Sequence, residues 1–305
     1  MGIGEWAALA AALLWTVASM LWGRIHLSAW SLNLCKNAIG AVLVSLHLLV
    51  MMLWFGGSGF AAPWQSWGWL ALSGLFGLVL GDTLYFRCLQ ILGPRRALMM
   101  ATTGPIFSAM LGWVLLRESL IPIALAGIAL AVTGVAIVVA DRKATLEAPG
   151  LRPGRIRMGI ATGILATICQ SVGGVFSKLG MRDSEGVEIC TALEATFIRL
   201  LLSAVAMFVI VVAKRQLTEI IRQVIAERLW RLIIPATVIG TWLGVWVSLI
   251  AFNHSKVALA QTLMSTCPLF AIPIMWIAHR QQVTIRSLTG TLVALIGIGL
   301  VVWYH

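Results

Sequence analysis

Charged residues are scarce in this chain of 305 residues, where Asp, Glu, Lys and Arg together make up 11% of the sequence. A soluble globular protein carries about 25% charged residues. Hydrophobic residues make up 60% of this chain, and its mean hydropathy is +0.96. This composition excludes a soluble enzyme, a disordered chain and a nucleic-acid-binding domain, and it indicates a membrane protein with several spans.

The sequence also lacks the short motifs that mark several chemistries. It contains no GxxxxGK[ST] loop for ATP and no HExxH or GxSxG pattern. Its five cysteines are scattered and form no CxxC pair, and its five histidines are dispersed. We therefore expect no enzymatic activity, no cofactor and no bound metal, and we interpret the cysteines as small buried apolar residues.

Ten apolar runs have the length of membrane-spanning helices, which need about 20 residues each. The runs show no alternation of period two, which would indicate the strands of a β-barrel. They predict an all-α membrane protein with ten transmembrane helices, called spans 1 to 10. The runs cover residues 5–23, 32–54, 67–90, 95–116, 119–140, 158–179, 192–213, 231–252, 257–278 and 286–304.

Two polar stretches interrupt the apolar runs. Residues 141–157 predict a cytoplasmic linker between a first unit, 1–140, and a second unit, 158–305. Residues 214–231 have apolar residues at helical spacing, which predicts a short amphipathic helix on the membrane surface.

The distribution of Lys and Arg predicts the orientation of the chain in the membrane. Most of the 22 basic residues fall in loops that follow odd-numbered spans. Only Arg117, Lys178, Arg182 and Lys256 fall in loops on the other side. Basic loops stay in the cytoplasm, so both termini are predicted to be non-cytoplasmic. The net charge of +11 is thereby interpreted as a topology signal and not as a nucleic-acid site.

An internal repeat relates the two units. At an offset of 163 residues, glycine, proline and tryptophan positions of the first unit coincide with the same residue types in the second. Five spans is an odd number, so the second unit must enter the membrane from the opposite side, as an inverted repeat. Such symmetry favours alternating access, although a duplication kept only for stable packing remains the other interpretation. The coincidences include Gly77 with Gly240, Gly81 with Gly244, Pro105 with Pro268, Gly127 with Gly290 and Gly134 with Gly297.

The segment GDTLYFRCLQILGPRRALMMATTGPIFSAMLGWVLLRE (81–118) resembles an EamA domain of the drug/metabolite transporter superfamily. The matching features are Gly81, an alanine-rich start to span 4, Pro105 and a closing Glu118. The second unit keeps Gly244 and Pro268 but has Gln281 where the acid would stand.

The resemblance implies a secondary transporter of small metabolites, with amino-acid export as the first expectation. A multidrug, nucleoside or sugar carrier of the same fold is the alternative, and a channel or membrane-embedded enzyme is a more distant one. The implied setting is the inner membrane of a bacterium, with the lipid bilayer and a small solute as partners. The resemblance leaves open whether transport is coupled to protons. It also leaves open whether the protein is a monomer or a homodimer.

Neutral polar and aromatic residues near the middle of the spans are candidates for lining a substrate cavity. The tryptophans could instead belong to an interfacial belt. The candidates are Trp15, Asp82, Tyr85, Thr102, Thr103, Gln170, Trp246, Gln261, Ser265 and Thr266.

Charged residues inside spans receive a separate interpretation. Asp82 could bind a proton or a substrate ammonium, or it could pair with Lys36 and fix packing. Lys36 and Arg199 coincide at the offset of 163 residues. We interpret both as side chains that extend to the membrane interface, with a functional role as the alternative.

Symmetric prolines and glycines complete the candidate set. Pro105 and Pro268 predict mid-span kinks that act as gating hinges or as static bends. The pairs Gly77/Gly81 and Gly240/Gly244 predict faces where helices pack closely.

Overall fold

In a computed structural model, residues 2–55, 62–118, 121–139, 153–279 and 285–303 are described, and they form a helical bundle. Within these ranges no β-strand occurs, and Arg182 and Glu188 form an isolated bridge. The α-helices are α1 (Ile3–Trp22), α2 (Ala29–Phe55), α3 (Trp64–Ser73), α4 (Asp82–Ala101), α5 (Gly104–Leu116), α6 (Pro122–Val139), α7 (Pro153–Met181), α8 (Ala192–Ala213), α9 (Leu217–Ala226), α10 (Trp230–Thr237), α11 (Gly244–His254), α12 (Val257–Met264), α13 (Cys267–His279) and α14 (Ile285–Trp303).

The helices follow the predicted apolar runs closely. Six helical stretches of the described chain are long and apolar enough to cross a membrane, and they correspond to spans 1, 2, 3, 6, 7 and 8. Four shorter apolar helices correspond to spans 4, 5, 9 and 10. The all-helical class is therefore confirmed, while the count of ten complete spans stays a prediction. Residues 141–152 of the predicted linker, and Gln281, lie outside the described residues.

Two π-helical segments occupy equivalent positions in the two units. The first, Gly74–Gly81, joins α3 to α4, and the second, Val238–Leu243, joins α10 to α11. The first packs against α7 and α8 of the second unit, whereas the second packs against α1 and α2 of the first unit. π-Helical turns are rare and occur frequently at functional sites. Both segments lie at the contact between the two units, so that contact is a candidate location for the functional site.

Two breaks in helical structure also occupy equivalent positions. Thr102 and Thr103 separate α4 from α5, and Ser265 and Thr266 separate α12 from α13. Pro105 and Pro268 are each the second residue of the helix that follows the break.

The prediction of a kink in a continuous helix at each proline is therefore wrong in its local geometry. A proline in the first turn of a helix loses no hydrogen bond, because that N–H would have no partner within the helix. The sequence accommodates Pro105 and Pro268 by ending one helix and starting another.

The boundary between spans 3 and 4 is a single non-helical residue. Gly93 has φ 81° and ψ 166°, and the helical halves of α4 adjoin it on both sides. A positive φ favours glycine because glycine has no Cβ atom. The residue also precedes Pro94, which disfavours helical geometry at the position before it. The predicted loop is thus reduced to a sharp turn.

Helices α6 and α14 are joined by close backbone contact at symmetric glycines. A Cβ atom added at Gly134 would lie 2.2 Å from the nitrogen of Ala294, and one added at Gly297 would lie 2.3 Å from the nitrogen of Ala131. Only a residue without a side chain fits at either position. The coincidence of Gly134 and Gly297 in sequence therefore has a packing cause.

The predicted amphipathic segment between spans 7 and 8 contains a helix, α9. Ile220 is buried against the bundle, while Ile221 and Ile225 are exposed. The opposite face carries an exposed ion pair of Glu219 with Arg222. An apolar face left open beside a charged face fits a helix on a membrane surface, and that location stays a prediction.

Candidate functional site

A cavity of about 120 Å³ lies between the two units, and residues of both units line it. Its wall combines aromatic rings, neutral polar groups and three charged side chains. The first unit contributes Trp15, Ser19, Trp22, Lys36, Asp82 and Tyr85 among its polar and aromatic residues, and the second contributes Thr167, Gln170, Arg199, Thr241, Ser248, Phe252, Gln261 and Ser265.

An ion pair forms one side of this cavity. Nζ of Lys36 lies 2.6 Å from Oδ2 of Asp82. Gln170 of the second unit donates a hydrogen bond from Nε2 to Oδ1 of Asp82, at 2.5 Å. Both carboxylate oxygens of Asp82 are therefore engaged, one by each unit of the protein.

The first π-helical segment and α2 hold the ion pair in place. Lys36 also donates to Oδ1 of Asn37, and Asn37 donates in turn to Oδ1 of Asn33. Nδ2 of Asn33 lies 2.8 Å from the carbonyl oxygen of Leu78, within the π-helical segment, and 2.8 Å from Oγ1 of Thr83. The chain of contacts fixes the orientation of Lys36 from α2 through to the start of α4.

Arg199 of α8 forms another part of the wall and is 4% exposed. Its Nε atom has no hydrogen-bond partner within the described residues. A Cβ atom added at Gly77 would lie 2.9 Å from Nη2 of Arg199, and one at Gly74 would lie 3.0 Å from its carbonyl oxygen. The two glycines thus make room for an arginine between the π-helical segment and α8.

Six predicted lining residues do line the cavity: Trp15, Asp82, Tyr85, Gln170, Gln261 and Ser265. Several of their polar atoms are already engaged. The indole N–H of Trp15 donates to the carbonyl oxygen of Gly240, and the hydroxyl of Tyr85 lies 2.9 Å from Oγ of Ser19. These bonds orient the rings across the contact between α1 and its neighbours.

Four predicted lining residues lie away from the cavity wall. The hydroxyls of Thr103 and Thr266 donate to the carbonyl oxygens of Met100 and Leu263 in the preceding helices. Short hydroxyl side chains bond back to the preceding turn in this way, and the backbone N–H of each threonine donates to the same carbonyl oxygen. The other two, Thr102 and Trp246, are likewise absent from the wall. Trp246 instead packs edge-on against His47, with ring centroids 4.8 Å apart.

The sequence predicted a different location for the two cations that coincide in the repeat. Lys36 and Arg199 do not extend to an interface, because both are buried in the wall of the cavity. Their coincidence at the offset of 163 residues was the available signal. The neutral members Ser19, Trp22 and Thr241 carried no comparable signal in the sequence.

The four glycines predicted to pack helices lie beside the cavity. Gly240 faces Trp22 of α1, and Gly244 faces the indole of Trp15 on the same helix. Gly81 faces Gln170, and Gly77 faces Arg199. The absence of side chains at these positions leaves room for the larger groups of the wall. Ala101 and Met264, the last residues of the helices that precede the two breaks, also line the cavity.

A second polar cluster ties the bundle together at the end of α5. Lys178 lies 2.6 Å from Oε1 of Glu118 and donates to the carbonyl oxygen of Ser255. Oε2 of Glu118 accepts a hydrogen bond from the backbone N–H of Val257. The hydroxyl of Ser255 lies 3.0 Å from Oε1 of Glu5. The cluster links α1, α5, α7 and the turn between α11 and α12.

Comparison with known proteins agrees with this architecture. No curated protein matches the chain. A solved structure described only as "Crystal structure of protein" superposes with a TM-score of 0.72 at 17% sequence identity, covering 97% of this chain and 94% of its own. At that identity the likeness concerns the fold alone. The model of the EamA-like transporter family matches residues 2–140 and 157–303. The chain therefore belongs to the EamA-like transporter family, within the drug/metabolite transporter superfamily, and carries two copies of its repeat.

Proposed function

We propose that this protein is a secondary transporter that exports small amphipathic metabolites, amino acids or related solutes, by alternating access. The observation that carries the proposal is the cavity lined by both units, with aromatic, neutral polar and charged groups in one wall. Cavities with a mostly apolar wall and a few convergent polar groups are typical of small-molecule sites.

The symmetric interruptions of the helices support alternating access. Among the described residues, each unit contains a π-helical segment and a helix break at equivalent positions. Ala101 and Met264, at the ends of the helices before these breaks, line the cavity. In transporters built from inverted repeats, discontinuous helices surround the central site and the units rock about it. Pro105 and Pro268 then mark the points where the second halves of the broken helices move.

Asp82 is the candidate for proton coupling. Its carboxylate is the acidic group in the cavity wall, and it bridges Lys36 of its own unit and Gln170 of the other. Protonation of Asp82 would weaken the attraction to Lys36 and change the link between the units. The sequence has no ATP-binding motif of the GxxxxGK[ST] type. Facilitated diffusion, solute exchange and coupling to an ion gradient are the modes of transport that need no ATP.

The test is uptake by purified protein in liposomes, measured with a pool of labelled amino acids and with or without a pH gradient. We expect saturable uptake in the wild type. A pH-gradient dependence that disappears in Asp82→Asn, while saturable uptake is retained, would assign the coupling to that carboxylate. Absence of flux of every amino acid by folded protein would contradict the amino-acid proposal and direct the search to nucleosides, sugars and cationic drugs.

A further inference from the structure

The cavity wall carries one positive charge in excess. Among the described residues, Lys36, Arg199 and Asp82 are its three charged side chains. The carboxylate of Asp82 is engaged by Lys36 at 2.6 Å and by Gln170 at 2.5 Å. Arg199 forms no ion pair among the described residues, and Asp82, which already pairs with Lys36, attracts it only from a longer distance.

The environment of Arg199 makes this excess unusual. The side chain is 96% buried, and its Nε lacks a hydrogen-bond partner among the described residues. A buried cation is costly unless an anion or hydrogen-bond acceptors compensate it. Arginine inside a membrane protein therefore marks a site at which a counter-charge is expected.

Two further groups of the same wall have unused hydrogen-bonding capacity. Nε1 of Trp22 and Oγ1 of Thr241 are buried without a hydrogen-bond partner in the described chain. The indole N–H is only a donor, and the hydroxyl is able to donate. With Arg199, the wall thus offers three unsatisfied polar groups, each of which suits an acceptor on a ligand.

We propose that the transported solute is an amphipathic organic monoanion whose carboxylate pairs with Arg199. A guanidinium binds a planar carboxylate through two parallel hydrogen bonds, a geometry that lysine does not offer. The apolar body of the solute lies among the aromatic side chains Trp15, Trp22, Tyr85 and Phe252. The inference rests on the proposed transport function and names its substrate class.

The same charges disfavour other head groups. A cationic solute would add a second unpaired positive charge to Arg199. A zwitterionic amino acid would satisfy Arg199 with its carboxylate, but its ammonium would compete with Lys36 and Gln170 for the Asp82 carboxylate. A neutral solute would leave Arg199 without an ion-pair partner of its own. The order of preference is therefore monoanion, zwitterion, neutral solute and cation.

The test compares four probes that share one phenyl body and differ in the head group. They are 3-phenylpropionate, phenylalanine, 3-phenylpropanol and phenethylamine. Binding is measured on the intact protein in detergent by equilibrium titration and by the shift of its thermal unfolding midpoint. Competition for saturable uptake is then measured in liposomes. The expected result is tightest binding and strongest competition by phenylpropionate.

Substitutions at Arg199 test whether this residue causes the preference for phenylpropionate. Arg199→Gln is expected to weaken phenylpropionate binding by about 30-fold or more while changing phenylpropanol binding little. Arg199→Lys keeps the charge and should recover part of the loss, which guards against an effect of misfolding. Arg222→Gln removes a cation on the exposed helix α9 and is the matched control, expected to bind all four probes as the wild type does.

Three outcomes would overturn the inference. They are no binding of phenylpropionate, tighter binding of phenylalanine or phenethylamine by the wild type, and an unchanged preference in Arg199→Gln. Failure of the proposed function looks different: phenylpropionate binds in detergent with the expected dependence on Arg199, yet no saturable flux of any solute occurs in liposomes.

Discussion

Nζ of Lys36 lies 2.6 Å from the Asp82 carboxylate in the wall of the central cavity, and Lys36 is almost completely buried. Burial removes both groups from water, and their mutual attraction offsets only part of that cost. The energetic consequence is asymmetric, because losing one partner leaves the other as an uncompensated charge. Replacing one residue of the pair is therefore expected to destabilise the protein, whereas replacing both together is expected to cost little stability.

The first prediction concerns this asymmetry. Asp82→Asn is expected to lower the stability of the protein by about 3–5 kcal/mol, because Lys36 then remains buried without its counter-ion. The double variant Lys36→Met with Asp82→Asn should regain most of that loss. The midpoints of thermal unfolding in detergent measure both effects. Equal midpoints for the single and double variants would show that the two side chains are not energetically coupled.

The second prediction concerns the contact between α6 and α14. Gly297→Ala places a methyl group against the backbone nitrogen of Ala131 and should destabilise the protein by about 3 kcal/mol. Gly299→Ala, two residues further along the same helix, meets no atom within 4 Å and is the control. Its higher helix propensity predicts unchanged or slightly raised stability. Thermal unfolding of the two variants compares them directly, and a tolerated Gly297→Ala would contradict the close packing.

The third prediction concerns the helix breaks. Alanine at 105 or 268 restores a backbone donor and favours a continuous helix across the break. We expect Pro105→Ala and Pro268→Ala to slow transport several-fold while the thermal midpoint stays near that of the wild type. Pro235→Ala, in α10 and outside the cavity wall, serves as the control with normal transport. Wild-type transport rates in both variants would indicate static bends.

The fourth prediction concerns the inverted arrangement of the two units. Cysteines placed at exposed Glu185 and Arg215 are separated by one predicted span, span 7. In intact cells, a membrane-impermeant maleimide should label Glu185→Cys from outside and should label Arg215→Cys only after permeabilisation. Labelling in the reverse order would invert the predicted orientation. Labelling of both positions from one side would remove the basis for an inverted repeat.

The helical class and the presence of two repeats could be predicted because they follow from composition and residue coincidence. Apolar runs of helical length have one favourable structure in a bilayer, since every backbone group must be satisfied internally. The coincidence of Gly134 with Gly297 reflects a backbone contact that only glycine allows. Helix formation and close helix contacts are set by what the backbone allows. Individual residues such as glycine show these constraints in the sequence.

The cavity wall was predictable only in part, because side-chain direction depends on local helix geometry. The hydroxyls of Thr103 and Thr266 donate to carbonyl oxygens of the preceding turn at a helix break, and the break itself was expected to be a kink. Arg199 has a stem long enough to reach an interface, and its place beside the cavity depends on the small residue Gly77 on another element. The sequence alone does not show which helices pack together around Arg199.

Counterflow tests the central claim, transport by alternating access, most directly. Liposomes that contain the purified protein are loaded with unlabelled solute and diluted into a trace of the same solute in labelled form. A carrier that exposes one site to each side in turn exchanges solute across the membrane, so labelled solute should accumulate transiently above its equilibrium level. A steady approach to equilibrium without this overshoot, at a rate independent of the internal solute, would indicate a channel and contradict the account.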